Sequence, residues 1–148
     1  MRDLAFYNLK SPHMVLMSSD VLAFFQSHCQ VEGPESGGLM LGYWRDPHLE
    51  IIKCTAPMPE DKQSRFSFLR KDRHHMMLAQ ALHNSSQQKI CYLGEWHTHP
   101  EEIPSPSLTD CREWKVIQSK YNRPLSFVIV GRGRLYVQVR NSCLLLEE

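Results

Sequence analysis

The stretch GEWHTHPEEIPSPSLTD, residues 94–110, constrains the fold more than any other part of the 148-residue chain. The apolar residues before it predict a strand over Ile90–His97, which Pro100 ends because proline donates no ladder hydrogen bond. A proline-rich loop follows, and Ser107 begins a predicted helix. The chain therefore passes from strand to loop to helix within this stretch, and polar side chains lie at both junctions.

His97 and His99 are spaced so that both side chains leave the same face of a strand. Two neutral imidazoles and one carboxylate form a common tetrahedral zinc shell that leaves one position for water. Asp110 can supply the carboxylate if the proline-containing loop folds back. An open fourth position is typical of a catalytic zinc, so the spacing points to hydrolytic chemistry.

Ser107 and Asp110 also fit a purely structural role. The pattern S-x-x-D at a helix start is typical of a capping box. The paired histidines, His97 and His99, could likewise pack in the core or face solvent. The two interpretations are compatible, because a residue in the first helical turn can cap the helix and also point at a metal. The joint spacing of all four residues favours a metal site.

The rest of the chain predicts helices and strands in a mixed order without a regular βαβ alternation. We expect an α/β (α+β) fold with a mixed central sheet flanked by helices, in one domain spanning residues 1–148.

The methionines Met76 and Met77 are expected in the core. The strands are expected at residues 14–17, 39–44, 48–56, 65–69, 90–97, 125–131, 134–140 and 142–147, and the helices at residues 18–29, 72–84 and 107–121.

Composition restricts the classes of function. A net charge of +1 and the lack of a wide basic patch argue against nucleic-acid and membrane partners. The five cysteines are widely spaced without a C-x-x-C pair, which argues against a disulfide framework and a cysteine-type zinc site. The N-terminus does not resemble a signal peptide and no stretch is apolar enough to span a bilayer, so we expect a reduced, cytoplasmic protein.

The segment HTHPEEIPSPSLTD resembles the H-x-H-x7-S-x2-D signature of the JAMM metalloproteases, also called the JAB or MPN+ domain. In that family a glutamate precedes a glycine-bearing apolar strand, and Glu35 occupies that place in ESGGLMLG. The resemblance implies that His97, His99 and Asp110 bind one catalytic Zn²⁺. It also implies that Glu35 hydrogen-bonds the zinc-bound water as general acid and base, and that Ser107 stabilises the oxyanion.

Three further residues are candidates for supporting roles. Many family members carry a bulky residue where Glu95 stands. Because Glu95 shares a strand face with the histidines, it either supports the metal ligands or is an exposed strand-edge charge. Residues 56–71 are expected to form a flap over an extended substrate tail. Phe66 and Phe68 alternate with a serine, as expected for a strand that lines a groove, and the alternative is core packing.

The resemblance is strongest to the short bacterial deconjugases of CBASS anti-phage operons. It implies a zinc-dependent isopeptidase or peptidase that cleaves after the C-terminal residue of a protein partner. That partner would be ubiquitin-like or a CD-NTase (a nucleotidyltransferase) with an extended C-terminal tail, conjugated by E1- and E2-like enzymes. Two alternatives remain: a peptidase that trims the C-terminus of a sulfur-carrier protein, and a catalytically silent MPN scaffold. Glu35, His97, His99, Ser107 and Asp110 are all present, which argues against the silent scaffold.

Overall fold

The computed structural model describes residues 2–29 and 33–146, and in these residues the chain forms ten strands and three helices. The strands are β1 (Leu4–Tyr7), β2 (Met14–Met17), β3 (Gly37–Arg45), β4 (His48–Cys54), β5 (Lys62–Ser64), β6 (Ser67–Leu69), β7 (Ile90–Thr98), β8 (Ser126–Val130), β9 (Leu135–Val139) and β10 (Ser142–Leu146). The helices are α1 (Ser19–His28), α2 (His74–Ser85) and α3 (Leu108–Ser119).

Eight of the strands form one mixed sheet that closes into a barrel in the order β1, β10, β9, β8, β7, β3, β4, β2. The pairs β2–β4 and β7–β8 are parallel, and the other pairs are antiparallel. The mixed α/β fold expected from the sequence is confirmed. Closure of the sheet into a barrel was not expected, because no strand was expected at β1. Strand β1 pairs with both β2 and β10 and leaves the sheet without an open edge. The extent of the domain over residues 1–148 stays a prediction.

The helices cover both faces of this sheet. Strand β8 is buried along its whole length, and its side chains alternate between two clusters. Val128 and Val130 join the cluster that contains Phe25 of α1, whereas Phe127 packs with Trp114 of α3. Helix α2 also covers the second face, where Ala79, Leu39 and Leu41 form a smaller cluster. No helix in the described ranges is both long and apolar enough to cross a lipid bilayer.

The expectation that Met76 and Met77 lie in the core is wrong. Their exposed fractions are 40% and 55%, whereas His75 and Ala79 face the sheet. Polar contacts explain this orientation of the helix. The His75 ring makes two short hydrogen-bond contacts, 2.6 Å to the Thr55 hydroxyl and 2.6 Å to the Asp61 carboxylate. These contacts turn the histidine inward, and the methionines at the next two positions therefore face outward.

Residues 56–71 form an excursion between β4 and α2, and β5 and β6 pair within it as a separate two-stranded hairpin. Strand β5 was not among the strands expected from the sequence. The second strand begins at Ser67, two residues later than expected. The flap expected over residues 56–71 therefore contains a β-hairpin that is separate from the main sheet.

Gly94 of β7 offers a direct test of how tightly the sheet is packed. Its φ is +133°, and a Cβ built at this position would lie 1.7 Å from the carbonyl oxygen of Ser126. We expect Gly94→Ala to lower the free energy of unfolding by at least about 3 kcal/mol, since it adds both backbone strain and overpacking. Urea denaturation followed by circular dichroism measures this, and a change below about 0.5 kcal/mol would contradict the packing described.

Candidate metal centre and active site

Strand β7 and the residue that follows it bring the two histidines together. His97 lies opposite Gly37 of β3 and beside Ile129 of β8. His99 follows the strand, and its backbone N–H donates to the Val130 carbonyl over 3.1 Å, which continues the pairing with β8. The two Nε2 atoms are 3.0 Å apart, so both rings converge on one point.

Asp110 reaches the same point from the first turn of α3. Its Oδ1 lies 3.4 Å from Nε2 of His97, and its Oδ2 lies 3.3 Å from Nε2 of His99. The side chains of His97, His99 and Asp110 are 13%, 11% and 14% exposed. The proline-rich loop therefore folds back as the sequence suggested and forms a compact, nearly buried group of two imidazoles and one carboxylate.

The spacing of these three side chains fits a small divalent ion. Ligand atoms placed tetrahedrally about 2.0–2.1 Å from a zinc ion lie about 3.3–3.4 Å from one another. The two Nε2 atoms are 3.0 Å apart, and each lies 3.3–3.4 Å from one of the two carboxylate oxygens of Asp110, which is close to that edge length. Among the residues that the structure describes, this is the one group of three or more His, Cys, Asp or Glu side chains close enough together to hold a metal.

Charge pairing holds this group together as a hydrogen-bonded cluster. Burial lowers the pKa of His99, but hydrogen bonds to Asp110 and Glu101 outweigh it and raise that pKa to about 9. Burial raises the pKa of Asp110, yet the hydrogen bonds from His97 and His99 hold it far below its usual range. A metal cation at this site would therefore compete with a proton for the His99 ring.

Glu35 lies next to this cluster, two residues before β3 begins, and is 6% exposed. Burial raises the pKa of its carboxyl group, while the nearby His99 and His97 lower it. Its backbone is fixed: the N–H donates to the Ser64 carbonyl over 2.7 Å, and the carbonyl accepts from Gln63 over 3.0 Å. Within the described part of the chain, its carboxylate makes no hydrogen bond, so it is free to serve a reacting group.

Ser107 caps α3, and the capping box expected from the sequence is confirmed. Its Oγ accepts from the Asp110 N–H over 3.0 Å, and Oδ2 of Asp110 accepts from the Ser107 N–H over 2.9 Å. Because Oγ is the acceptor in this pair, its hydroxyl hydrogen remains available to another group. Asp110 therefore meets both interpretations at once, since one carboxylate caps the helix and faces the histidines.

Glu95 lies in the middle of the sheet, because β7 runs between β3 and β8. The interpretation of Glu95 as an exposed strand-edge charge is therefore wrong. Its carboxylate accepts from Nε of Arg70 over 2.7 Å and from the Tyr92 hydroxyl over 3.0 Å. Arg70 directly follows β6, so Glu95 anchors the end of the hairpin to the sheet and does not contact the candidate metal ligands.

The hairpin carries the two candidate phenylalanines in different surroundings. Phe66 is 78% exposed at the tip, where the Arg65 guanidinium lies 5.6 Å from the centre of its ring. Phe68 is half-buried, and its ring packs so closely on Gly37 that a Cβ there would lie 2.4 Å from it. Core packing is therefore wrong for Phe66, whereas Phe68 covers the residue that pairs with His97.

Sequence reasoning missed the buried residues that hold the base of the hairpin. Asp61 accepts from the N–H groups of Met58, Lys71 and Asp72, and also contacts the His75 ring. These bonds join the two ends of the excursion. No local pattern reveals them, because the partners lie up to 14 residues apart. It also missed Glu101, which contacts His99 two residues earlier and which the spacing of His-x-Glu could have suggested.

A family model described as prokaryotic homologues of the JAB domain matches residues 17–142. The chain belongs to this family. The resemblance to JAB-domain proteins drawn from the sequence motif is therefore confirmed, and it covers most of the chain, not the motif alone.

Several relatives carry informative names. A protein of Pseudomonas aeruginosa named CD-NTase/cGAS isopeptidase is 40% identical over 126 residues, which cover 82% of this chain and 80% of that protein. An Escherichia coli protein of the same name is 36% identical over 140 residues, covering 93% of this chain and 88% of its own. A Sinorhizobium fredii protein described as a probable metalloprotease is 29% identical, covering 66% of this chain and 63% of its own.

A solved structure supports the fold independently. The solution structure of a Desulfitobacterium hafniense protein superposes with a TM-score of 0.64 over 89% of this chain and 88% of that one. At 18% identity this likeness concerns the fold alone. The family's JAB domain and the metalloprotease name of one relative suggest that a metal belongs in the cluster of His97, His99 and Asp110.

The capping role of Ser107 can be measured apart from any catalytic role. We expect Ser107→Ala to lower the free energy of unfolding by about 1 kcal/mol, because α3 loses the acceptor for one of its first N–H groups. Thermal and urea denaturation measure the change. Ser105→Ala, at an exposed serine of the preceding loop, is the control and should leave stability unchanged. Equal stability of the two variants would contradict the cap.

Proposed function

We propose that this protein is a zinc-dependent isopeptidase or peptidase that cleaves after the C-terminal residue of a conjugated protein partner. The observation that carries the proposal is the convergence of His97, His99 and Asp110 beside the buried Glu35. The relatives named CD-NTase/cGAS isopeptidase support a CD-NTase as the conjugated partner. E1- and E2-like enzymes that make the conjugate, and a location in the cytoplasm, are part of the same proposal. The same names favour deconjugation over the trimming of a sulfur carrier.

The choice of zinc rests on the donor set. Two imidazole nitrogens and one carboxylate oxygen are typical ligands of a catalytic zinc with one open position, whereas calcium and magnesium prefer oxygen ligands alone. When bound, zinc lowers the pKa of a coordinated water to about 7 and polarises a carbonyl group. His97, His99 and Asp110 would hold the ion, and the capping box fixes Asp110 in the first turn of α3.

Glu35 is suited to move the proton in an amide hydrolysis. Water adds to the carbonyl carbon of the substrate, and the Glu35 carboxylate accepts the proton that the water loses. The same carboxyl group then gives this proton to the departing amine nitrogen as the C–N bond breaks, which regenerates the carboxylate. Burial raises the pKa of Glu35, so its pKa lies closer to neutrality than that of an ordinary glutamate and suits both transfers.

Ser107 is suited to stabilise the oxygen that gains charge during this addition. Its Oγ accepts from the Asp110 N–H, so the hydroxyl hydrogen can point away from the helix. A donor of this kind typically contributes about 10²–10³-fold to kcat. Because the cap already fixes the Ser107 side chain against Asp110, the hydroxyl would need little further ordering to act as this donor.

The hairpin of β5 and β6 is suited to hold the substrate's extended tail. The Ser64 carbonyl of this hairpin accepts a hydrogen bond from the Glu35 N–H, and the Gln63 side chain donates one to the Glu35 carbonyl. A tail bound by strand addition along this hairpin would therefore run directly past the catalytic carboxylate. Phe66 at the exposed tip and Phe68 against Gly37 would contact its side chains.

Glu35→Gln tests the proton-transfer role. We expect the variant to keep one zinc ion per chain and its stability, and to lose about 10²–10⁴-fold in cleavage rate, because the amide cannot accept the proton. The substrate is a fusion in which a reporter follows the C-terminus of the CD-NTase encoded nearest to this gene. Zinc is measured by elemental analysis.

The matched control for this variant is Glu50→Gln. Glu50 lies on β4, where its carboxylate faces the exposed Arg45 at 3.1 Å, and it should tolerate the change with its cleavage rate intact. Cleavage by the Glu35 variant at the control's rate would remove Glu35 from the mechanism. Zinc-loaded wild-type protein that leaves the fusion uncut would reject the proposed substrate.

Phe66→Ala tests the hairpin as a substrate-binding element. We expect KM to rise about tenfold with kcat and zinc content unchanged, because the exposed ring contacts the substrate and not the reacting atoms. Leu9→Ala is the control, since Leu9 is also highly exposed, at 94%, but lies in the turn between β1 and β2. Equal KM values for the two variants would contradict a role for Phe66.

A further inference from the structure

We propose that Glu101 is a positioning residue for the metal ligand His99, and that the turn Gly131–Gly133 holds Glu101 in place for this role. This inference rests on the proposed metal site and deepens it. It concerns a carboxylate outside the three candidate ligands, on the loop between β7 and α3. It also gives a role to the turn GRGR, residues 131–134, between β8 and β9.

The His99 ring is held from both sides. Oε1 of Glu101 lies 2.8 Å from Nδ1, whereas Nε2 on the opposite side of the ring faces Oδ2 of Asp110 at 3.3 Å. When Nδ1–H donates to a carboxylate, the tautomer is fixed and the lone pair of Nε2 is available to a metal. A metal-binding histidine almost always has such a partner on its other nitrogen, and that partner also raises the basicity of the ligand.

The backbone around Glu101 is fixed by the turn between β8 and β9. The N–H of Arg132 donates to the Glu101 carbonyl over 2.8 Å, and the N–H of Gly133 donates to the Glu102 carbonyl over 2.9 Å. Two successive residues of the loop are therefore bonded to two successive residues of the turn. The Glu101 side chain, 45% exposed, is directed by its backbone and needs no buried pocket.

This contact leaves no room for a side chain at Gly131. A Cβ there would lie 2.4 Å from Cδ of Pro104 and 2.8 Å from the Glu101 carbonyl oxygen. Both neighbours are rigid, since one belongs to a proline ring and the other to the backbone. A larger residue at this position must displace the loop that carries Glu101.

The experiment uses the full chain with zinc ions alone as the probe and measures affinity by competition with a chromogenic chelator. We expect Glu101→Ala to weaken zinc binding about 10–100-fold, the range typical for losing the partner of a metal-binding histidine. Glu101→Gln should lie between this variant and wild type, because its amide oxygen still accepts Nδ1–H but carries no charge. Gly131→Ala should also weaken zinc binding.

Glu102→Ala is the matched control. Glu102 neighbours Glu101 on the same loop, and its carboxylate faces Arg132 at 3.9 Å and not a histidine. Its zinc affinity should equal that of wild type. Nitrogen-15 NMR of the zinc-loaded proteins adds a second readout. The Nδ1–H of His99 should keep the chemical shift of a proton bonded to a carboxylate in wild type and Glu102→Ala, and should lose it in Glu101→Ala.

Two outcomes would overturn the proposal and are distinguishable. Equal zinc affinities of Glu101→Ala and Glu102→Ala, in proteins that bind one zinc each, would overturn the role of Glu101 and leave the metal site standing. Wild-type protein that binds no zinc would overturn the metal site and the role of Glu101 together.

Discussion

The antiparallel pairing of β3 with β7 is the constraint on which the rest of the site depends. It sets Gly37 opposite His97, and two further bonds extend it: the Thr98 N–H donates to the Ser36 carbonyl, and the Ser36 N–H donates to the Thr98 hydroxyl. Glu35 therefore enters the site from a strand end whose register is fixed. A slip of one residue would turn His97 to the opposite face of the sheet and separate it from the glutamate.

The parts of the structure that depend on near neighbours could be predicted from the sequence. The capping box of α3 involves residues three positions apart, and the hairpin of β3 and β4 follows from two apolar runs around a short turn. The spacing of His97 and His99 on one strand face needs no tertiary information. The motif then indicated the family, and the resemblance to that family pointed to Glu35, which lies far from the motif in the sequence.

The parts that depend on topology could not be predicted. Closure of the barrel needs β1 beside β10, at the other end of the chain. The bond from Arg70 to Glu95 spans 25 positions and exists only because the hairpin folds back over β7. The apolar residues of α2 suggested that its methionines face the sheet. Instead, His75 faces the sheet because its partners, Asp61 and Thr55, are buried there.

Elements outside the cluster hold its side chains in place. Asp110 is held by the N-cap of α3, and His97 by a strand that pairs with both β3 and β8. Burial lowers the pKa of His99, but hydrogen bonds to Asp110 and Glu101 raise it to about 9, so a metal ion would compete with a proton for this ring. Side chains fixed in this way lose little freedom when they bind an ion, so a site built on a sheet and a capped helix favours metal binding.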